Sequence, residues 1–252
     1  MPVLSALTSQ LLSEAKSLIK ADVIARWSNY RSHRFVDALV DAIRDERDHE
    51  LSEDELNHSL SELVKKDNNS EALFEAYRRV CFARSRDIGP RMIGILTATL
   101  ILEERRPTKI EDAILDVSEN LNDDELREVV ETVKRWSAIA LSGGEGARHL
   151  EGQLQYVAHQ STVVSKDGQT SDTGSMLIDT LGSWGEKLRT YGLLFERVQE
   201  RVIKKEGQVS LSATQFGPDR TIAHSIIFRE GYQNLVDLID RAERASKTTK
   251  MS

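Results

Sequence analysis

The sequence predicts a mainly α-helical protein: an N-terminal helical bundle built around one buried central helix, followed by a small α+β C-terminal domain. Two observations carry this. Gly89 to Pro107 reads GPRMIGILTATLILEERRP, with no charge between Met92 and Leu102 and only Thr97 and Thr99 polar within it. A helix that is apolar on nearly every face must be surrounded by other elements. After Gly192 the apolar period changes from helical steps to strict alternation, as in a half-buried strand.

Pro90 suits the first turn of the central helix, where its missing N–H costs nothing. Pro107 stops that helix, and Glu103-Glu104-Arg105-Arg106 returns the chain to water. Upstream, Leu4, Leu7, Leu11, Ala15, Leu18, Ile19 and Val23 recur at three- and four-residue steps, which predicts an amphipathic helix that can continue through Trp27. A second helix places Phe35, Val36, Leu39, Val40 and Ile43 on one side, with Arg44 to Glu50 solvated. Ser52 with Glu55 forms a capping box before Leu56, Leu60, Leu63 and Val64. Asp67-Asn68-Asn69 breaks that helix, and Ser70 caps the next, which carries Leu73, Phe74, Tyr77, Val80 and Cys81. Behind the central helix two more capping boxes appear. Thr108 with Glu111 precedes Ile114, Leu115 and Val117, and Asn122 with Glu125 precedes Leu126, Val129, Val130, Val133 and Trp136. Each cap stabilises its helix by roughly 1 kcal/mol.

Leu141-Ser142-Gly143-Gly144 marks the domain boundary, because paired glycines end a helix. The domains are therefore 1–143 and 144–252. A helix with Leu150, Leu154 and Val157 is expected next, then a mobile loop from Ser161 to Ser175. Met176 to Leu194 returns to helical spacing, with Gly182, Gly185 and Gly192 allowing a turn inside it. Gln208 to Ala213 alternates as a strand, Phe216-Gly217-Pro218-Asp219 is turn chemistry, and Thr221 to Phe228 is a second strand. A helix from Glu230 with Leu235, Leu238 and Ile239 closes the chain. All strands are thus expected after Gly192. Helix, helix, Gly-Leu-Leu, two strands and a closing helix is the order of a winged-helix-like domain.

The totals limit function. One cysteine, Cys81, rules out an intramolecular disulfide and fits a reducing cytosol. The N-terminus lacks the basic start and compact apolar core of a signal peptide. The apolar run of the central helix is shorter than the ~20 residues of a membrane span, so a cytoplasmic protein without a membrane span is expected. Net charge is −7, and it is uneven: residues 1–143 hold 20 Lys+Arg against 27 Asp+Glu, while residues 144–252 hold 14 of each.

No complete catalytic, cofactor or metal motif is present, which predicts a protein that is not an enzyme and needs no cofactor or metal. Leu141-Ser142-Gly143-Gly144-Glu145 resembles the signature loop of ATP-binding cassette ATPases. The chain has no phosphate loop to accompany it, so the stretch is read as a linker. None of the six histidines has a metal-ligand spacing. His149 and His159, ten apart, would share a helical face only loosely. No G-x-S-x-G elbow occurs, and acidic clusters such as Glu53-Asp54-Glu55 lie at helix ends.

One charged segment stands apart. Lys187 to Lys205 holds six basic residues against Glu196 and Glu200, a local balance of +4. It lies where a winged helix places its recognition helix and the approach to its wing. Lys187, Arg189, Arg201, Lys204 and Arg220 are the expected contacts for phosphates or for an acidic protein segment.

The two halves together resemble a class of bacterial and prophage proteins in the Abi-alpha style, associated with abortive infection and phage exclusion. Trp27 to Ile43 is similar to their early helix, and Ala83-Arg84-Ser85-Arg86 leading to Leu96-Thr97-Ala98-Thr99-Leu100 is similar to their central pair. Asp123-Asp124-Glu125-Leu126 resembles the start of the following helix; Tyr191-Gly192-Leu193-Leu194 and Ile226 to Leu235 resemble their winged C-terminus. The resemblance implies antiviral defence by phage exclusion and supplies no catalytic residues. Many members are membrane-associated, whereas no apolar anchor is seen in this chain. The partner classes expected are a replication-associated protein such as a single-strand-binding protein, a nucleic acid, and a second copy of the chain. The competing expectation is a dimeric winged-helix transcriptional regulator binding duplex DNA.

Overall fold

The computed structural model describes residues 22–46, 67–144, 146–163, 176–202 and 220–249. Among them lie seven helices and four strands: α1 (Asp22–Glu46), α2 (Asp67–Phe82), α3 (Ile88–Leu102), α4 (Lys109–Asn120), α5 (Asp123–Leu141), β1 (Ala147–Leu150), β2 (Gln153–Val163), α6 (Met176–Thr190), β3 (Leu194–Val202), β4 (Arg220–Phe228) and α7 (Tyr232–Thr249). The protein is mainly helical, with one four-stranded antiparallel sheet in its C-terminal part. No helix among the described residues is long and apolar enough to cross a membrane. The chain divides into two compact units: Met1–Val130 with Gln233–Ser252, and Glu131–Tyr232.

The first unit is organised around α3. Every residue of α3 is buried except Thr99 and Leu102. Each buried Leu or Ile contributes on the order of 1.5–3 kcal/mol. The two threonines need no outside partner, because Thr97 Oγ1 donates to Ile93 O at 2.6 Å and Thr99 Oγ1 to Ile95 O at 3.3 Å. Helix α1 brings Phe35, Val36, Leu39, Val40 and Ile43 to the core. It crosses α3 at Gly94, where a Cβ would stand 2.5 Å from Phe35 O and 3.1 Å from Leu39 N. Glycine is what lets the two backbones meet. Helices α2 and α4 add Leu73, Tyr77, Val80, Ile114, Leu115 and Val117, and Arg79 of α2 pairs with Asp116 of α4 at 2.6 Å.

Two local expectations are corrected in this unit. Val23 and Trp27, expected to end a first helix, lie on the same continuous helix as Phe35, α1; Leu4 to Ile19 lie outside the described residues. Helix α2 begins at Asp67, so Ser70 lies inside it rather than capping it. Arg91, next to the apolar run, is fully buried, and none of its three guanidinium nitrogens has a hydrogen-bond partner. Burial pushes its pKa down, while Asp37 and Asp87 nearby favour the cation. Both later capping boxes are present. Glu111 N donates to Thr108 Oγ1 at 3.3 Å and Thr108 N to Glu111 Oε2 at 2.7 Å. Glu125 N donates to Asn122 Oδ1 and Asn122 N to Glu125 Oε2, each at 2.9 Å. The Ser52–Glu55 box lies outside the described residues.

In the second unit the expected helix over Leu150, Leu154 and Val157 is replaced by a hairpin, β1–β2. It turns at Glu151 (φ 45) and Gly152 (φ 79), and positive φ at both positions is what a two-residue type I′ turn requires. Strands therefore precede Gly192 as well as follow it. Residues 161–163 of the expected loop belong to β2, and residues 164–175 lie outside the described residues. The sheet order is β1-β2-β4-β3, antiparallel throughout. Leu154, Ile226, Phe228 and Leu194 are buried on one face. There Trp136 stacks on Tyr156 with centroids 4.3 Å apart and tilts against Phe228 at 5.5 Å.

Helix α6 ends at Thr190, and Leu194 opens β3 rather than closing the helix. Gly182 (φ 65, ψ −161) breaks α6 into 176–181 and 183–190, the turn that its glycines allowed. Helix, strand β2, two short helices, then β3 and β4 with β4 in the middle is the strand order of a winged helix; β1 is an added edge. The expected strand 208–213 and turn 216–219 lie outside the described residues.

Candidate binding face of the second unit

The basic positions fall into two groups. Lys187, half-buried, and Arg189, exposed, lie in the last turn of α6. Arg189 is held between two carboxylates, 2.9 Å from Glu186 and 3.5 Å from Glu196. Arg201 pairs in register with Thr221, and Arg220 with Val202, at the far end of the β3–β4 ladder. That ladder starts at Leu194 opposite Phe228, so the two ends are roughly 27 Å apart along the strand. Lys204 lies outside the described residues, as do the side chains of Arg201 and Arg220. His149 and His159 do not share a helix: His149 sits on β1 opposite Leu154, and His159 on β2 opposite His224. The His149 ring meets the Tyr232 hydroxyl at 3.3 Å.

The sheet face opposite Leu154 and Phe228 carries the more specific geometry. Strand alternation puts Arg148 opposite Gln155, Val157 opposite Ser225, and Ser225 opposite Arg197, all on this face. A cleft of about 490 Å³ lies over these rows, closed on one side by Gly143, Gly144 and Gly146. Gln155 is 1% exposed and Ser225 2%. Arg148 Nε donates to Gln155 Oε1 at 2.9 Å, which orients the amide and leaves Gln155 Nε2 without an acceptor. Ser225 Oγ also has no partner. Each such buried unsatisfied group costs about 1–3 kcal/mol. At the rim, the Gln199 amide, turned to match its neighbour, accepts from Arg197 Nη2 at 3.1 Å and Nε at 3.2 Å. Arg229 lies over the Phe195 ring at 5.2 Å.

Among the described residues the lining holds no carboxylate, histidine, cysteine or lysine, so what those residues offer chemically is hydrogen-bond donation and one guanidinium. Among the described residues no cluster of His, Cys, Asp and Glu could hold a metal ion. Sequence spacing missed Gln155 and Ser225, because Leu150, Leu154 and Val157 imitate a helical stripe. The available signal was the alternation Gln153-Leu154-Gln155-Tyr156 after Glu151-Gly152. No family model matches the chain, and no curated protein or solved structure matches it.

Proposed function

We propose that this chain is a non-enzymatic binding protein of phage interference whose second unit engages an acidic segment of a replication-associated partner, such as a single-strand-binding protein. The observation that carries the reading is the winged-helix strand order, with Lys187 and Arg189 on the helix before the hairpin and Arg197, Arg201 and Arg220 on the hairpin itself. An acidic protein segment fits better than duplex DNA. Arg189 already shares its charge with Glu186 and Glu196, and the chain's net −7 opposes a long polyanion. The same strand order supports the second reading, a dimeric regulator on duplex DNA.

The test is fluorescence anisotropy with purified single-strand-binding protein, with the same protein lacking its acidic tail, and with single-stranded and duplex oligonucleotides. Binding that needs the tail, weakens with salt, and is lost when Lys187, Arg189, Lys204 and Arg220 are all reversed to Glu is the expected result. Duplex binding that ignores the tail, with a salt slope falling by about one per lost phosphate contact, overturns it in favour of the regulator.

A further inference from the structure

We propose that the cleft over Gln155 and Ser225 is a receptor for an oxyanion, a carboxylate or phosphate group carried by a small molecule. None of the five basic contacts discussed above is among the residues that line this site, and the inference does not depend on them. Its unpartnered groups are the Gln155 amide N–H, which can only donate, and the Ser225 hydroxyl, which can donate or accept. The Gln155 amide cannot simply turn round to offer its oxygen, because Arg148 already holds that oxygen at 2.9 Å. Among the described residues of the lining, the one charged group is the Arg148 guanidinium. A cation would meet the Arg148 guanidinium and a donor-only amide N–H, and an apolar ligand would leave that N–H unanswered. An acceptor-rich anion answers both.

The glycine side of the cleft suits the same ligand. A Cβ at Gly143 would meet nothing within 4 Å, so the ligand has room to approach the backbone there. The volume of about 490 Å³ falls in the range of small-molecule sites and is too small for a folded partner. Both residues line the cleft, while Gln155 Nε2 and Ser225 Oγ are themselves buried, so ligand binding requires both side chains to turn outward, Gln155 together with the Arg148 that holds its oxygen.

The experiment is an NMR titration of the full ¹⁵N-labelled chain with sodium phosphate and, separately, sodium acetate, against sodium chloride at matched ionic strength. Saturable shifts of the Gln155 side-chain NH₂ and of the Gly143, Gly144 and Gly146 amides are expected. Phosphate alone identifies a phosphate ligand, acetate alone a carboxylate, and both a general oxyanion site. Arg148→Met, at an exposed position, and Ser225→Ala should each weaken the apparent Kd at least tenfold with little change in the melt. Shifts identical to those in chloride, or an unchanged Kd in Arg148→Met, overturn the proposal.

Discussion

The carboxylate of Asp123 accepts the backbone N–H of Ile88 at 2.9 Å, so the first residue of α5 caps the start of α3. It also accepts from Arg86 N at 3.1 Å, from Asp87 N at 3.3 Å and from the Ser85 hydroxyl. Ser85 Oγ in turn accepts from Gly89 N at 2.6 Å. Asp87, the residue in the N-cap position of α3, makes no side-chain cap bond of its own. A helix buried this deeply must have its first N–H groups satisfied, and an anion at that end also meets the helix dipole favourably. Asp123→Ala should therefore cost about 2–3 kcal/mol in urea unfolding, since bonds to a charged acceptor are worth more than neutral ones. Asp123→Asn, with one acceptor oxygen, should fall between. A loss under about 0.5 kcal/mol in the alanine variant would mean that water replaces the carboxylate there.

Gly94→Ala should destabilise the first unit by about 1–3 kcal/mol, the usual range for overpacking. The added methyl meets the α1 backbone at Phe35 O, and backbone cannot rotate away as a side chain can. Thermal unfolding followed by circular dichroism checks this. An unchanged midpoint would show that α1 and α3 slide apart without cost.

Arg91→Met should leave stability unchanged or raise it by about 1 kcal/mol or more. A buried charge without hydrogen bonds carries an uncompensated desolvation penalty, and an apolar side chain of similar length removes it. The neighbouring network does not need Arg91: Tyr30 OH donates to Asp87 at 2.9 Å, and Arg34 donates to Tyr30 OH at 3.0 Å. A loss of more than about 1 kcal/mol in urea unfolding would show that Asp37 and Asp87 depend on the cation.

Glu111 supplies a pH dependence. The Arg105 guanidinium, bonded to it at 2.7 Å, holds its carboxyl at about 2. The folded pKa lies below the ordinary value of 4.5. Its stabilisation is therefore complete above that value and lost as pH falls from about 4.5 toward 2. Because the Arg105 side chain is 36% exposed, solvent screening limits the effect to about 1 kcal/mol. Glu111→Gln should lower stability by that amount at pH 7 and by almost nothing at pH 2. Equal losses at both would place the effect in the capping box alone.

What was legible in the sequence was whatever a single segment decides for itself. The Ile93–Ile101 run could only be a buried helix, and Thr108 with Glu111 closes a box within one turn. The hairpin was not legible by apolar spacing, because a four-then-three step from Leu150 to Val157 satisfies a helix as well as it does two strands of a tight turn. Asp123 was legible as a helix start but not as a cap for α3, since nothing local links it to Ile88. Arg91 looks like an ordinary charged helix residue until Tyr30, Arg34 and Asp37 of α1 are packed beside it. The cleft was hidden for the same reason: Gln155, Ser225 and Arg148 meet only across paired strands.

The first unit takes residues from both sides of the second, ending with Gln233–Ser252, and the closing segment is anchored by Glu243, 2.8 Å from Arg127. On the ribosome this order has a temporal consequence. Residues 131–232 can finish folding while the last helix is still being made, whereas the Arg127–Glu243 pair of the first unit must wait for α7. At about 5–20 residues per second the wait is on the order of ten seconds. Throughout it, Arg127 is without the carboxylate of Glu243, made 116 residues after it.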